Sequence, residues 1–521
     1  MAQVSLRRRT VLAGALAAAT LAGPVAAAVP RVRYSVATPN GLAMLRKYAR
    51  AVAMMNNPQI IAPQDTRSWL FQWYTHSPPN SRAGGPVTKA GELAWVYPDE
   101  TDPRRALAEE VWSTCQPHFS GDWNLFLPWH RMYLAAFEDV IRSVLDDPTF
   151  TLPYWDYTAP GQRSLPLQFR RPGHATYGAL YRPNRKKAQG ININAGDPMD
   201  KGATVSPFNL DVLARPGYDG KTGFCHALDS GLHGAVHTGI GDKTDMGSIP
   251  TAANDPIFYL HHCNIDRLWA AWSGAGGQPA PMEGTFAFAG GNGDRVTMEV
   301  AGVLTTGQMN YGYDSLPPVP GHTAQPMMLM SPAPAPAPGG SPHPMALMAA
   351  MPARPRLLAQ STEPLALGGI ASRVELEVPV QTMSAPLTVA PQGLLAASPA
   401  PPPPSVARKT YVVIEGLATD VEPGVFFEVF LNLPAGADPA TRRARYIGTL
   451  QFFGASETAS MSDMPGMADL GPRATSFEVT EQVKLLEETM PGAPLTVSVI
   501  PLGVPADQAN PTLAKISIIQ N

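Results

Sequence analysis

The chain has 521 residues, 44% hydrophobic and 16% charged, with a formal net charge of -3. That length exceeds one compact core and predicts two or three domains. So balanced a charge gives no electrostatic case for a nucleic-acid partner, and three cysteines (Cys115, Cys225 and Cys263) cannot supply a disulfide framework.

The N-terminus reads "MAQVSLRRRTVLAGALAAATLAGPVAAAVP", where Arg7, Arg8 and Arg9 precede an apolar run ending in small residues. This is the pattern of a secretory signal of the twin-arginine type, with cleavage expected near Ala28 and export to the periplasm or beyond. The run is shorter than the roughly 20 residues of a comfortable bilayer span, so no stable membrane anchor is expected. The composition then predicts a signal peptide over 1–28, a mainly helical domain over 29–314 and a Pro/Ala/Met-rich linker over 315–368. A C-terminal all-β sandwich is expected over 369–521, with an internal Pro-rich loop at 398–406.

Nine of the eleven histidines lie between positions 76 and 262. That clustering calls for chemistry, because imidazole is the commonest metal ligand. In "FLPWHRMYLAAFEDVIRSVL" a helix is expected from about Pro128, a residue tolerated in a first turn. Leu127, His130, Leu134, Phe137, Ile141 and Leu145 recur at steps of three and four, which turns His130 inward. Alone, such a histidine reads first as structural.

In "LDSGLHGAVHTGIGD" His233 and His237 are four apart, so one helix face can present both to one metal. A zinc protease needs Glu directly after the first histidine; Gly234 stands there, and that hydrolase reading fails. In "NDPIFYLHHCNIDRLWAAW" Asp255 and Pro256 make a helix start. Periodicity puts His261 nearer the centre of the apolar face than His262.

Beyond about residue 315, "SPAPAPAPGGSPHPMALMAAMPARPRL" cannot build a core. Its methionines, with Met327, Met328 and Met330, are soft enough for copper(I), but a plain low-complexity connector is the better reading. "SRVELEVPV", "KTYVVIEGL", "GVFFEVFLNL", "RYIGTLQFF", "TSFEVTEQV", "LTVSVIPLG" and "AKISIIQN" then read as strands between Gly/Pro turns. No histidine lies beyond His343, so these strands supply no imidazole.

Together "FLPWHRMYLAAFE", "LPYWDYT", "HGAVH" and "DPIFYLHHCNIDRLW" resemble the tyrosinase / polyphenol oxidase (catechol oxidase) family of type-3 dicopper proteins, over roughly residues 65–315. "YGYDS" resembles the paired-tyrosine motif that closes the catalytic domain of plant-type members. The resemblance implies a four-helix bundle around two copper ions, O2 as co-substrate, small phenols oxidised to quinones, and a copper chaperone as candidate partner. Carried over by motif, the first copper takes His76 from "WLFQWYTH", His118 from "CQPH" and His130 from "FLPWH". The second takes His233, His237 and, through H-x-x-x-D with Asp266, His262. His261 then stands behind the ligands, Asp266 orients a ligand imidazole or anchors Arg267, and Phe258 packs against the copper pair.

Cys115, three before His118, is a candidate for the Cys–His thioether of many members, against a plain buried thiol. Hydroxylating members pair a Glu with an Asn after the first second-copper histidine. Here Gly234 holds the Asn position and Asp229, one turn before His233, is the candidate substitute, which favours diphenol oxidation over hydroxylation. Ile249 aligns with the bulky residue that gates the second copper, or is a plain loop contact. The C-terminal domain is expected to cover the site and keep the enzyme latent until removed. The alternative function is a type-3 copper protein that binds O2 without oxidase activity.

Overall fold

The computed structural model describes residues 30–82, 85–116, 125–188, 190–242, 244–279, 282–321, 355–378, 408–456 and 473–521. Local sequence explains where its helices begin. Thr38 accepts from Gly41 N to cap α1 (Pro39–Met55), and Ser68 accepts from Phe71 N to cap α2 (Trp69–His76). α3 (Lys89–Val96) and α4 (Pro103–Val111) are capped by Thr88 and Asp102. The helix expected from Pro128 is α5 (Phe126–Leu145), two residues longer at its start and closed by left-handed Asp146. Five of its six stripe residues are buried, from Leu127 to Ile141.

α6 (Phe224–Ala227) continues through a π-turn (Leu228–His233) into α7 (Gly234–Ile240). α8 (Ile249–Ala252) precedes α9 (Ile257–Gly274). Asp255 accepts from Ile257 N at 3.2 Å, as its place before Pro256 implies, and also forms a fully buried ion pair with Arg185 at 2.7 Å. Among the described residues no helix is long and apolar enough to cross a membrane.

β1 (Arg31–Arg33) pairs in parallel with β8 (Tyr311–Tyr313), so the helical unit starts and finishes in one two-stranded sheet. Between them lie the hairpins β2 (Ser81–Arg82) with β3 (Gly85–Pro86), β4 (Lys187–Ala188) with β5 (Ile191–Asn192), and β6 (Thr285–Ala289) with β7 (Arg295–Glu299). Arg33 is fully buried and grips Glu138 with two nitrogens, at 2.9 and 3.0 Å. It also reaches Asp266 and Tyr313, both at 3.1 Å.

The C-terminal unit has two four-stranded antiparallel sheets, each of four labelled strands. One orders β11 (Ser372–Leu376), β16 (Leu495–Pro501), β13 (Phe427–Leu431) and β14 (Tyr446–Leu450). The other orders β15 (Ala474–Glu478), β12 (Thr410–Glu415), β18 (Lys515–Gln520) and β9 (Arg356–Gln360), and β10 (Leu365–Ala366) pairs separately with β17 (Thr512–Leu513). Val412, Ile414, Ile516 and Ile518 of one sheet share a core with Phe427, Val429, Val497 and Val499 of the other, which makes a sandwich.

Two sequence expectations change. β9 and β10 fall within the segment read as linker; neighbouring prolines hide a short strand that takes its order from β18 rather than from its own pattern. The unit is not all-β either, because α10 (Pro439–Arg445) and α11 (Thr480–Thr489) interrupt it. In α11 Val483 and Leu486, three apart, are buried, which is a helical spacing. The leader, the Met-rich run and the Pro-rich loop at 398–406 lie outside the described residues.

The two units interlock. Every residue of β13 is buried, and its Glu428 accepts from Thr204 N and Oγ1 of the helical unit. Phe426 and Phe453 belong to the core of the helical unit, not to that of the sandwich.

Candidate metal centre

Four segments converge on one buried cluster of imidazoles. α2 ends on His76, α5 carries His130, the π-turn and α7 carry His233 and His237, and α9 carries His261 and His262. None of the six is more than 2% exposed. Their ligand atoms form two groups, each within 4.8 Å: His233, His237, His261 and His262, and separately His76, Cys115 and His130. The groups meet where His130 stacks on His262, ring centroids 4.3 Å apart and 9° from parallel. His118 lies outside the described residues, and with it the Cys115–His118 thioether. The Cys115 sulfur is buried, 3.8 Å from His130 Nε2.

The partner of one ring nitrogen decides what the other can do. His130 Nδ1 is 2.8 Å from Phe126 O, and His237 Nδ1 is 2.8 Å from Met246 O. A carbonyl only accepts, so both rings are protonated at Nδ1 and present the Nε2 lone pair. His233 Nδ1 lies 2.9 Å from Asp229 Oδ1. His261 Nδ1 meets Tyr157 Oη at 2.9 Å. His261 Nε2 and both nitrogens of His262 have no hydrogen-bond partner among the described residues. Leaving such atoms buried and unmatched costs about 1–3 kcal/mol each, which a bound ligand would remove. Burial, with neighbouring imidazoles adding to it, pushes His261 and His262 well below imidazole's ordinary pKa. They are neutral, which is the ligating form.

Neither group contains a carboxylate. A donor set of imidazoles suits copper, whose cycling between Cu(I) and Cu(II) is poorly served by hard oxygen ligands. The residues present therefore fit a copper pair.

Phe258 lies 4.2 Å from the His262 ring and 5.0 Å from that of His76, against both groups. Asp266 has neither role expected of it. Its carboxylate receives Arg33, Arg131, Tyr311 and Tyr313, and two buried guanidiniums outcompete any imidazole. Arg267 pairs instead with Asp156 at 3.1 Å and donates to Ser315 O at 2.7 Å.

The C-terminal unit reaches this centre. Phe453 stacks on His237, with centroids 4.1 Å apart and 12° from parallel, and lies 6.0 Å from the His233 ring. Gln451 covers Gly234 so closely that a Cβ there would meet its Nε2 at 2.0 Å. Ile249 is fully buried with its Cδ1 against Gly454. Sequence reasoning missed Phe453, Gln451, Tyr157 and Met246 as site residues. "LPYWDYT" offered Tyr157 as part of a motif; "RYIGTLQFF" gave no signal for Phe453 beyond that of a strand.

The profile described as the common central domain of tyrosinase matches residues 66–194 and 199–275, which span every histidine of both groups. Residues 66–275 carry the common central domain of tyrosinase, which places this part of the chain among the tyrosinases and polyphenol oxidases. This tyrosinase-type chain is 32% identical over 238 residues to polyphenol oxidase A1, chloroplastic, of Vicia faba, covering 40% of this chain and 39% of that one. It is 32% identical over 298 residues to tyrosinase HcTyr1 of Hahella sp. (strain CCB-MM4), covering 51% and 59%. The tyrosinase-type chain thus matches 39% to 59% of these relatives' own length. A recombinantly expressed latent aurone synthase (polyphenol oxidase) shares the fold over 94% of this chain and 89% of that one, with a TM-score of 0.53 at 21% identity. A second profile, a domain of unknown function (DUF7868), matches residues 354–521 of the tyrosinase-type chain. Tyrosinases and polyphenol oxidases are copper oxidoreductases with a type-3 dicopper centre that uses O2.

Proposed function

We propose that this protein is a dicopper polyphenol oxidase that converts o-diphenols to o-quinones with O2, its imidazoles held in a four-helix bundle of α2, α5, α6–α7 and α9. The observation that carries this reading is the stacked pair of His130 and His262, through which two histidine-rich, carboxylate-free groups touch. His76, His118 and His130 would hold one copper, and His233, His237 and His262 the other. His261 is set behind them by its bond to Tyr157. When bound, the copper pair supplies two one-electron centres, which match the two electrons a catechol gives up; two catechols and one O2 yield two quinones and two waters.

The chain's own part is to hold neutral imidazoles, wall the site with Phe258 and narrow its approach at Ile249. Gly234 has no side chain with which to hold a water beside the phenol, and Asp229 faces the back of His233. Both support diphenol oxidation over hydroxylation. Phe453 over His237 and Gln451 over Gly234 support latency of the full chain. The twin-arginine-type leader supports export to the periplasm or beyond.

The test is metal analysis with a catechol assay on the full chain, before and after cleavage in the 322–354 segment. Two coppers per chain are expected, with quinone formation that rises on cleavage and, in Phe453→Ala, without it. One zinc per chain, or O2 binding without quinone, would sink the oxidase reading. Activity indifferent to both cleavage and Phe453→Ala would sink latency alone.

A further inference from the structure

We propose that Asp229 is a positioning residue for the second copper, acting through His233; the inference rests on the copper reading above. Both residues lie in the π-turn, Asp229 second and His233 last. Such turns are rare and recur at functional sites, where the added residue re-aims side chains. Here Asp229 Oδ1 comes to 2.9 Å from His233 Nδ1, an ion-pair distance without hydrogen-bond alignment, with both side chains at most 1% exposed. The contact lies on the far side of the ring from Nε2, the atom left to face the metal. Asp229 is therefore placed behind a ligand rather than beside a phenol.

Among the described residues the contrast with the other imidazoles is one of charge. His130 and His237 give Nδ1 to the neutral carbonyls of Phe126 and Met246, whereas His233 faces a buried carboxylate. A buried carboxylate so close to one imidazole nitrogen favours the proton there and makes the opposite nitrogen a stronger donor. A stronger donor favours Cu(II) over Cu(I), so the carboxylate should lower the reduction potential of the second copper.

The test uses the copper-loaded full chain and needs no turnover. Stepwise competition with a chelator gives the two copper affinities, and a redox titration gives the potentials. In Asp229→Asn one copper should weaken by about 10–100-fold and its potential should rise. The other copper and the melting temperature of the metal-free chain should stay unchanged. Asp229→Ser carries the same expectation and is read if the amide variant does not fold. Wild-type affinities and potentials in the variant would overturn the proposal, as would equal weakening of both coppers with a lower melting temperature. A wild-type chain that takes up no copper overturns the functional reading itself, and is distinguishable from either result.

Discussion

One position separates His261 from His262, and burial does not discriminate between them, since they are 0% and 1% exposed. Helical projection favours His261 because it weighs burial alone. Hydrogen bonding separates the two: Tyr157 engages His261 Nδ1, while neither nitrogen of His262 has a hydrogen-bond partner among the described residues. His262→Ala should lose the second copper and all catechol oxidation, whereas His261→Ala should keep both coppers and turn over more slowly. Copper content measured beside activity checks this, and the reverse pattern would reassign the ligand. Residue types and spacings were legible in the sequence where the geometry is local, as with His233 and His237 on one face. Asp229 was legible as a nearby carboxylate, but its target was not, because a π-turn is not written in a periodicity. The setting of Asp266 depends on residues 33, 131, 311 and 313, which no spacing connects.

At the scale of elements, Asp266 knots β1, α5, α9 and β8 together. Burial is the largest influence on its carboxyl group and opposes ionisation. Arg131 and Arg33 with the two tyrosines together outweigh it, leaving the pKa below the ordinary carboxylate value. A folded-state pKa below the unfolded one gives stability that is complete above roughly pH 4 and is lost as pH falls through the folded value. Asp266→Asn should flatten that acid limb. At neutral pH it should cost roughly 3–5 kcal/mol, because buried Arg131 loses its carboxylate partner and Arg33 keeps only the carboxylate of Glu138. Urea unfolding at neutral and acid pH checks both; an unchanged acid limb would remove Asp266 as its source. α5 and α9 were legible because their apolar stripes are continuous. β9 was not, because its pairing with β18 is a long-range fact, and α11 was lost in a run whose first half is a strand.

For the whole molecule, the contact between the units combines the apolar seats of Phe426 and Phe453 with directional polar bonds. Arg215 donates to Ser476 O at 2.8 Å and lies over the Tyr411 ring, and Gln451 donates to Ser230 O at 2.9 Å. His226 of α6 is fully buried at this boundary, facing the Ala474 backbone. Burial above all pushes it down to about 4, against the upward pull of Asp229 and with smaller help from Arg215 and Lys221. An imidazole depressed on folding must be charged against the fold, so stability falls with pH between about 6.5 and 4, by up to about 3 kcal/mol. Mild acid should loosen the covering unit, seen as faster proteolysis there, and His226→Leu should blunt the response. Equal pH dependence in the variant would place the sensor elsewhere.

The parallel pairing of β1 with β8 carries a last consequence. The helical unit begins and ends at one clasp, fastened by Arg33 between Glu138 and Asp266. A chain severed beyond Gly321 therefore acquires its new end next to a buckle that is already shut. The loss of the sandwich takes Phe426 and Phe453 out of the helical core, yet both ends of the copper-binding body stay fastened to each other.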